Sequence, residues 1–209
     1  MPLTKIKSLG ITDGTVLAAD IADGTISLAK LSATGSASSA TFLRGDNSWG
    51  SAGATAGQVI QVVSATKTDR FSGGATDTFT DVTGVTVSIT PSSASNKILI
   101  ICNLAGSGNS TSRHAFRLVR GSTAVGVATS TGSRPAATVG MTNSTNSNDQ
   151  VSASFNFLDS PSTTSSVTYK VQYVSENGIA IGGSYSDTNS TESYNSRTIN
   201  TMTVMEIKG

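Results

Sequence analysis

Large apolar residues near the start of the chain recur at every fifth position. The phrase ITDGTVLAAD is followed directly by IADGTISLAK. The recurring residues are Ile11, Val16, Ile21, Ile26 and Leu31. A spacing of five fits neither the 3.6-residue period of a helix nor the two-residue period of a strand, so this segment is neither a regular helix nor a regular strand.

Each copy of the repeat predicts a turn followed by one or two turns of helix. Asp-Gly favours the turn, and Thr15 and Thr25 are suitable N-caps for helix over 16–20 and 26–30. Helices this short are marginal alone, so their single apolar row must be buried by the rest of the chain or by other copies of it. We predict a stem in which copies pack around an axis. The alternative is a disordered leader with accidental repetition.

A second apolar island lies between two connectors rich in small residues, 32–40 and 51–57. It contains Phe42, Leu43 and Trp49, the one tryptophan, around the turn-forming sequence Gly45-Asp46-Asn47. Burying a large apolar side chain contributes about 1.5–3 kcal/mol. We therefore predict that these three side chains pack against other copies or against the base of the following domain.

After residue 57, the hydrophobic pattern changes to alternation. Apolar residues occupy every second position over 85–89, 151–157 and 167–173, and a further strand is predicted over 199–207. The run KILIICNL, 97–104, is apolar at successive positions and predicts a central strand covered on both faces. Turn residues stand at 91–96, 120–123 and 177–178.

The pattern as a whole predicts a mainly β protein with seven to nine short strands in its second part. Such strands with turn signals between them are typical of an antiparallel β-sandwich with jelly-roll or Greek-key connections. We predict two domains: 1–57, an attachment and trimerisation stem with linkers, and 58–209, a sandwich head. The last strand, which ends close to residue 209, is expected to be locked into a sheet.

Composition narrows the range of functions. Charged residues make up 13% of the chain and the net charge is +1, so no basic field for nucleic acid exists. The low charge also favours a subunit that is not monomeric. No apolar run reaches the length of a membrane span, and the N-terminus lacks the apolar core of a signal peptide, so we expect no membrane insertion and synthesis in the cytoplasm. Cys102, the one cysteine, is expected to be a small buried hydrophobe.

Candidate catalytic and metal-binding patterns are isolated. Ser27-x-x-Lys30 matches a penicillin-recognising motif whose companion motifs are absent, and internal repetition explains it. His114 is the one histidine, so a triad or a paired histidine metal site has no second member. The carboxylate pairs Asp77/Asp81 and Asp187/Glu192 lack calcium-loop spacing. We predict no catalytic, metal or cofactor-binding residue, and no enzyme activity.

Polar loops are the remaining candidates for function. The segments 106–113, 130–134, 143–150 and 185–197 are rich in Ser, Thr, Asn, Gly, Tyr and Arg, which suits adaptable hydrogen bonding to a surface glycan. Plain solvated loops are an equally good interpretation. The candidate receptor-facing residues are Asn109, Arg113, Arg134, Asn146, Tyr185 and Tyr194.

Several phrases of the chain resemble tail-fibre and related appendage proteins of tailed bacteriophages, with phages of cyanobacteria and marine bacteria as the nearest type. These phrases are the repeat, SATGSASSATFLRGDNSW, GQVIQVVSATKTDRF, SITPSSASNKILII and the closing TMTVMEIKG. The resemblance implies a homotrimer that docks to the virion by its N-terminal region, contacts other virion proteins and presents a β-rich head to the host. The chain lacks a long shaft, so it resembles a compact fibre.

Two other functions remain open at this point. The first is a capsid or baseplate decoration protein without receptor binding. The second is a different class of protein, either a glycan-degrading tailspike enzyme or a non-viral trimeric lectin.

Overall fold

The computed structural model describes residues 16–27, 30, 33–51, 53–142, 146–187, 193 and 195–209. Three of the predicted interface and loop residues, Ile11, Leu31 and Tyr194, lie outside them. The chain forms two compact units, Met1–Gly53 and Ala54–Gly209. Their boundary lies in the second small-residue connector.

The described part of the first unit contains a short 3-10 helix and a small hairpin. The helix, Ala18–Asp20, lies within the predicted 16–20, and the Asp20 carboxylate accepts from the Leu17 amide at its start. The Thr25 hydroxyl donates backward to the Ala22 carbonyl at 2.6 Å, and its predicted role as the cap of a helix over 26–30 involves positions outside the described residues, so it stays a prediction. The exposed fractions of Val16, Ile21 and Ile26 are 52%, 40% and 52%, so the described part of the chain leaves these three repeat residues largely in solvent.

The hairpin in the first unit holds the apolar island. Strands β1 (Thr41–Leu43) and β2 (Trp49–Ser51) are antiparallel, and Leu43 lies opposite Trp49. In the turn, Asn47 takes a positive φ of 62°, and the Asp46 carboxylate accepts from the amide and the hydroxyl of Ser48. The predicted turn is therefore confirmed.

The second unit is an antiparallel β-sandwich. Its strands are β3 (Val59–Lys67), β4 (Phe71–Gly73), β5 (Thr76–Ile89), β6 (Lys97–Gly108), β7 (Arg113–Arg120), β8 (Thr123–Val125), β9 (Val139–Thr142), β10 (Val151–Asp159), β11 (Val167–Ser175), β12 (Ile179–Ile181) and β13 (Asn200–Ile207). One sheet has the order β3-β13-β6-β12-β4, with β10 also paired to β6. The other has the order β5-β11-β7-β8, with β9 also paired to β7.

The strand order is that of a jelly roll. Without the short strands β4, β8 and β12, the two sheets are β3-β13-β6-β10 and β5-β11-β7-β9. Numbered in chain order, these eight strands give sheets 1-8-3-6 and 2-7-4-5, the arrangement produced when two Greek keys wrap into a double sheet. The last strand, β13, lies between β3 and β6, as the sequence predicted.

The core fills the space between the two sheets. Val85, Val87 and Ile89 are buried as their alternation predicted, and Thr86 and Ser88 face outward. Tyr169 and Phe116 are completely buried aromatic residues of the other strands in that sheet. Cys102 is also buried in the core, as expected, and burial raises the pKa of its thiol to about 12.

The prediction for 97–104 is half right. Strand β6 is central, with β13 along one edge and β10 along the other. Ile98 and Ile100 are buried between the sheets, but Leu99 and Ile101 on the opposite face are only partly covered. The reason is that the sandwich has two layers, so the back of each sheet has no third layer to cover it.

Among the described residues, no helix has both the length and the apolar character needed to cross a membrane.

Candidate functional site

Several connections of the sandwich meet at one end, which we call the loop end. The pairing of Gly73, Ile179 and Gly108 brings together the termini of three strands, and Val151 pairs with nearby Gly106. The connections after β4, β6, β11 and β12 therefore emerge side by side with the segment that precedes β10. Three of the four polar segments singled out from the sequence contribute to this end.

Serine and asparagine side chains join these connections to one another. The Ser107 hydroxyl donates to the Ser147 carbonyl at 2.9 Å and also accepts from the Tyr185 amide. The Ser184 hydroxyl is 2.8 Å from the Asn148 side-chain oxygen. These bonds fix the backbone of the loop end, because the Ser107 and Ser184 hydroxyls are fully buried and have to find their partners within the protein.

The side chain of Arg70 also bonds to these loops. The Arg70 guanidinium donates to the carbonyls of Ser184 and Tyr185, at 3.1 and 2.8 Å. On the following segment, Arg197 pairs with the buried Asp187 carboxylate at 2.8 Å. Charged groups thus hold the described part of the β12–β13 connection, which contains few apolar residues that could pack.

An open cleft of about 560 Å³ lies beside the loop end. Its rim carries Asp77, Arg113 and Glu176, and Arg113 is 3.4 Å from Glu176. The lining also includes Thr76 and Ser133. Two carboxylates, a guanidinium and two hydroxyls give both donors and acceptors, which is the chemistry needed to hydrogen-bond the hydroxyl groups of a saccharide.

His114 is buried behind this cleft. Its Nε2 is 2.9 Å from the Ser112 hydroxyl, and its Nδ1 is 3.0 Å from the hydroxyl of Ser175, a residue that lines the cleft. A neutral imidazole donates from one nitrogen and accepts at the other, so two hydroxyls satisfy it. Burial lowers the pKa of His114, and the charge of Glu176 opposes this shift. His114 is therefore a buried histidine with a hydroxyl partner at each ring nitrogen.

The predicted loop residues divide into two groups. The Asn109 amide donates to the Gly178 carbonyl, and Asn146 and Tyr185 belong to the bonded loops, so these three lie at the loop end. Arg113 lies on the rim of the cleft, and Arg134 is exposed between two residues of the cleft region, Ser133 and Pro135.

Sequence reasoning missed the residues that organise this surface. Ser107 and Ser184 were not distinguished from other serines, and Arg70 was not considered. Their only signal in the sequence is position, since Ser107 lies in the polar segment 106–113 that follows the predicted strand 97–104. Asp77 was paired with Asp81 in the sequence, but Asp81 instead bonds to Lys170 at 2.7 Å.

Within the described part of the chain, no cluster of three or more His, Cys, Asp or Glu side chains could hold a metal ion.

Comparison with known proteins adds little to this description. No protein-family model and no curated protein matches the chain. Among solved structures, the chain is similar to a structure of the infectious bursal disease virus Gx strain, with 12% identity, a TM-score of 0.35 and coverage of 70% of this chain and 40% of that one. The crystal structure of the VP2 subviral particle of the same virus gives 10% identity and a TM-score of 0.31, and covers 71% of this chain and 41% of that one.

TM-scores of this size do not establish a common fold. The chain also spans only about 40% of the length of the viral protein chains it matches.

Proposed function

We propose that this protein is a non-enzymatic virion structural protein, a short homotrimeric fibre whose head recognises a host surface. The observation that carries the proposal is a jelly roll whose polar loops are bonded together at one end. Jelly rolls are common in viral capsid and lectin domains, which is an analogy of fold and not of site. The resemblance of the chain's phrases to phage appendage proteins supports the same assignment.

The loop end suits recognition because it is already ordered. Loops that are fixed before binding lose little conformational freedom when a ligand binds, so more of the interaction energy appears as affinity. The cleft beside it offers carboxylates, a guanidinium and hydroxyls to a host glycan. Low affinity per site is acceptable in a trimer, because three linked sites bind one surface with increased avidity.

The first unit is proposed to attach the protein to the particle and to hold three chains together. Its exposed apolar side chains, including Val16 and Phe42, are the features that favour contacts with other chains. Sedimentation of the full chain tests the homotrimer. A mass of three chains is expected, and a stable monomer at micromolar concentration would exclude it.

Glycan binding is tested by surface plasmon resonance of the full chain on immobilised bacterial surface polysaccharides. We expect Arg113→Ala and Asp77→Asn each to weaken binding several-fold, since each removes a hydrogen-bonding group from the rim of the cleft. Lys208→Ala, just after β13 at the opposite end of the sandwich, is the matched control. Equal binding by all three variants and the wild type would place recognition elsewhere.

Location is tested separately by antibody labelling of purified particles. Labelled particles together with no glycan binding would favour a decoration protein without receptor binding. Release of sugars that is abolished by one carboxylate substitution would instead indicate a glycan-degrading enzyme.

A further inference from the structure

The two outer faces of the sandwich differ sharply in chemistry. On the face formed by β5, β11 and β7, Asp81 pairs with Lys170 and bonds to Gln172, which accepts from Arg117. On the face formed by β3, β13, β6 and β10, four aliphatic side chains lie in register across the whole sheet. They are Val62, Met205, Leu99 and Leu158, here called the apolar row.

The apolar row is open to solvent in a single chain. Leu158 and Val62, at its two ends, have exposed fractions of 47% and 55%. Leu99 and Met205 in the middle are only partly covered. Ile101 extends the row along β6, and Val59 and Ile60, 51% and 37% exposed, extend it along β3.

Polar but uncharged residues border the apolar row on the side toward the loop end, at the next positions of the same strands. The second row across the sheet is Ser64, Thr203, Ile101 and Asn156, and the third is Thr66, Thr201, Asn103 and Ser154. On the outward positions of these four strands, all of them described, Lys97 is the one charged side chain. An apolar centre with an uncharged polar border is the anatomy of a protein interface.

We propose that the apolar row is an interface in which the head of one copy of this chain packs against the head of another. The lack of charge suits a second copy, because the same uncharged face on each subunit of a symmetric oligomer can approach its neighbours without like-charge repulsion. A different protein would more often be selected by complementary charge, and this face carries almost none.

The area of the face is large enough for the centre of a contact between two heads, but not for the whole contact. Strands about 4.8 Å apart and nine residues long give a four-stranded face on the order of 400 Å². This is about half of the roughly 800 Å² that each partner contributes to a standard interface. The apolar row thus forms the centre of a head-to-head contact, and the adjoining residues complete it. The inference shares one requirement with the proposed fibre, which is a homo-oligomer. It does not depend on glycan binding or on a place on a particle.

The test uses cysteine labelling of the full chain, because the native Cys102 thiol is fully buried and an introduced thiol would be the reactive one. Leu158→Cys places the thiol in the apolar row. Thr168→Cys places it at an exposed position on the outer face of the other sheet and serves as the matched control. We expect Leu158→Cys to react with a maleimide about tenfold more slowly than the control, as it would if roughly nine-tenths of the copies were associated.

A second variant measures the contact itself. Val62→Lys puts a charge at the edge of the row, where the wild-type side chain is already half exposed, so folding should survive, as circular dichroism can verify. Combined with Leu158→Cys, it should restore labelling to the rate of the control.

Two outcomes would overturn the inference. Equal labelling of Leu158→Cys and Thr168→Cys would mean that the row is free, even if the stem still holds a trimer. Protection of Leu158→Cys in a chain that sediments as a monomer would mean that the chain's own N-terminal segment covers the row. Protection that Val62→Lys removes, in a protein without glycan binding, would support the interface and leave the proposed recognition function contradicted.

Discussion

At the scale of single residues, buried polar groups hold the two sheets together. The Asp159 carboxylate, on β10, accepts from Arg120 Nη1 at 2.9 and 3.0 Å and from the Tyr169 hydroxyl at 2.6 Å. Arg120 and Tyr169 belong to the other sheet, so this cluster crosses the sandwich. Burial and the bond to Asp159 both raise the pKa of Tyr169, which therefore stays a neutral donor.

Removing the Tyr169 hydroxyl should destabilise the fold measurably. Tyr169→Phe leaves the Asp159 carboxylate with Arg120 alone, and losing a hydrogen bond to a charged group costs about 1.5–3 kcal/mol. Urea denaturation at neutral pH measures this loss in the free energy of unfolding. Tyr173→Phe is the matched control, because the Tyr173 hydroxyl makes only a long contact, 3.4 Å, to the Gly74 carbonyl. Equal losses of stability from Tyr169→Phe and Tyr173→Phe would show that the bond between Tyr169 and Asp159 adds no measurable stability.

Glu206 is a buried carboxylate that fixes the turn between β5 and β6. Its Oε1 accepts from the Ser92 amide at 2.6 Å, the Ser92 hydroxyl at 2.8 Å and the Asn96 side-chain nitrogen at 2.6 Å. Burial alone would raise the pKa of Glu206, but the hydrogen bonds from Asn96 and Ser92 outweigh it and hold the pKa below its usual value.

A lowered carboxyl pKa contributes stability that is complete above the unfolded pKa of about 4.3 and is lost as pH falls through the lower folded value. Glu206→Gln should therefore cost about 1–3 kcal/mol at neutral pH, and the variant should lose less further stability on acidification than the wild type. Urea midpoints at pH 7 and at low pH measure both effects. Glu176→Gln, an exposed ion-pair partner, should cost little; a cost as large as that of Glu206→Gln would contradict this account.

At the scale of elements, alternation made the long strands predictable. A sheet buried on one face forces every second side chain inward, so 85–89, 151–157 and 167–173 showed their strands directly. The three-residue strands β4, β8 and β12 are too short to show a pattern of their own. The outer face of β6 was predicted wrongly because a continuous apolar run does not reveal how many layers cover it.

The loop end could be predicted only as a set of polar segments. Its geometry depends on contacts such as that between Ser107 and Ser147, which are far apart in the chain and carry no periodic signal. The cleft is equally hidden, since Asp77 and Glu176 come together only when β5 and β11 pair.

His114 provides a prediction about how these elements are joined. It links the connection before β7 to Ser175 at the end of β11, and the Ser175 hydroxyl also accepts from the Gly178 amide at 2.9 Å. A histidine whose pKa is lowered by burial contributes stability above its unfolded pKa of about 6.5. That stability is lost as pH falls from this value toward the folded pKa, because the unfolded chain then binds the proton first.

We therefore expect the wild type to lose stability as the pH falls below about 6.5, the unfolded pKa of histidine, and His114→Gln to lose less over the same range. Thermal unfolding at several pH values measures this dependence. Because the charge of Glu176 opposes the effect of burial on the pKa of His114, His114→Gln should also be compared in a Glu176→Gln background. Parallel pH profiles for the wild type and His114→Gln would contradict the role of His114.

At the scale of the whole molecule, both units expose apolar side chains that a single chain does not cover. In the first unit these include Val16, Leu17 and Phe42, with exposed fractions of 52%, 63% and 48%. In the second unit they form the apolar row. A small, weakly charged protein that leaves so many aliphatic groups in water is best explained by association. Contacts through both units would fix the heads as well as the stems of a fibre.

The fluorescence of Trp49 can report whether the hairpin takes part in contacts between chains. It lies opposite Leu43 in the hairpin and donates its amide to the Thr34 carbonyl at 2.7 Å, and its side chain is only partly covered. Phe42 and Leu43 beside it are 48% and 40% exposed. Aromatic residues dominate interface hot spots, where truncation often costs 2 kcal/mol or more. If three chains meet at this hairpin, Trp49→Ala removes that contribution three times.

We expect Trp49→Ala to weaken assembly strongly, as a shift to smaller species in sedimentation, and Trp49→Phe to weaken it less because an aromatic ring remains. In the wild type, the tryptophan emission should be blue-shifted and poorly quenched by acrylamide in the assembled state, and should become red-shifted and accessible on dilution. A red, freely quenched emission from the assembled protein, together with a Trp49→Ala variant that assembles and melts like the wild type, would show that the hairpin takes no part in the contact between chains.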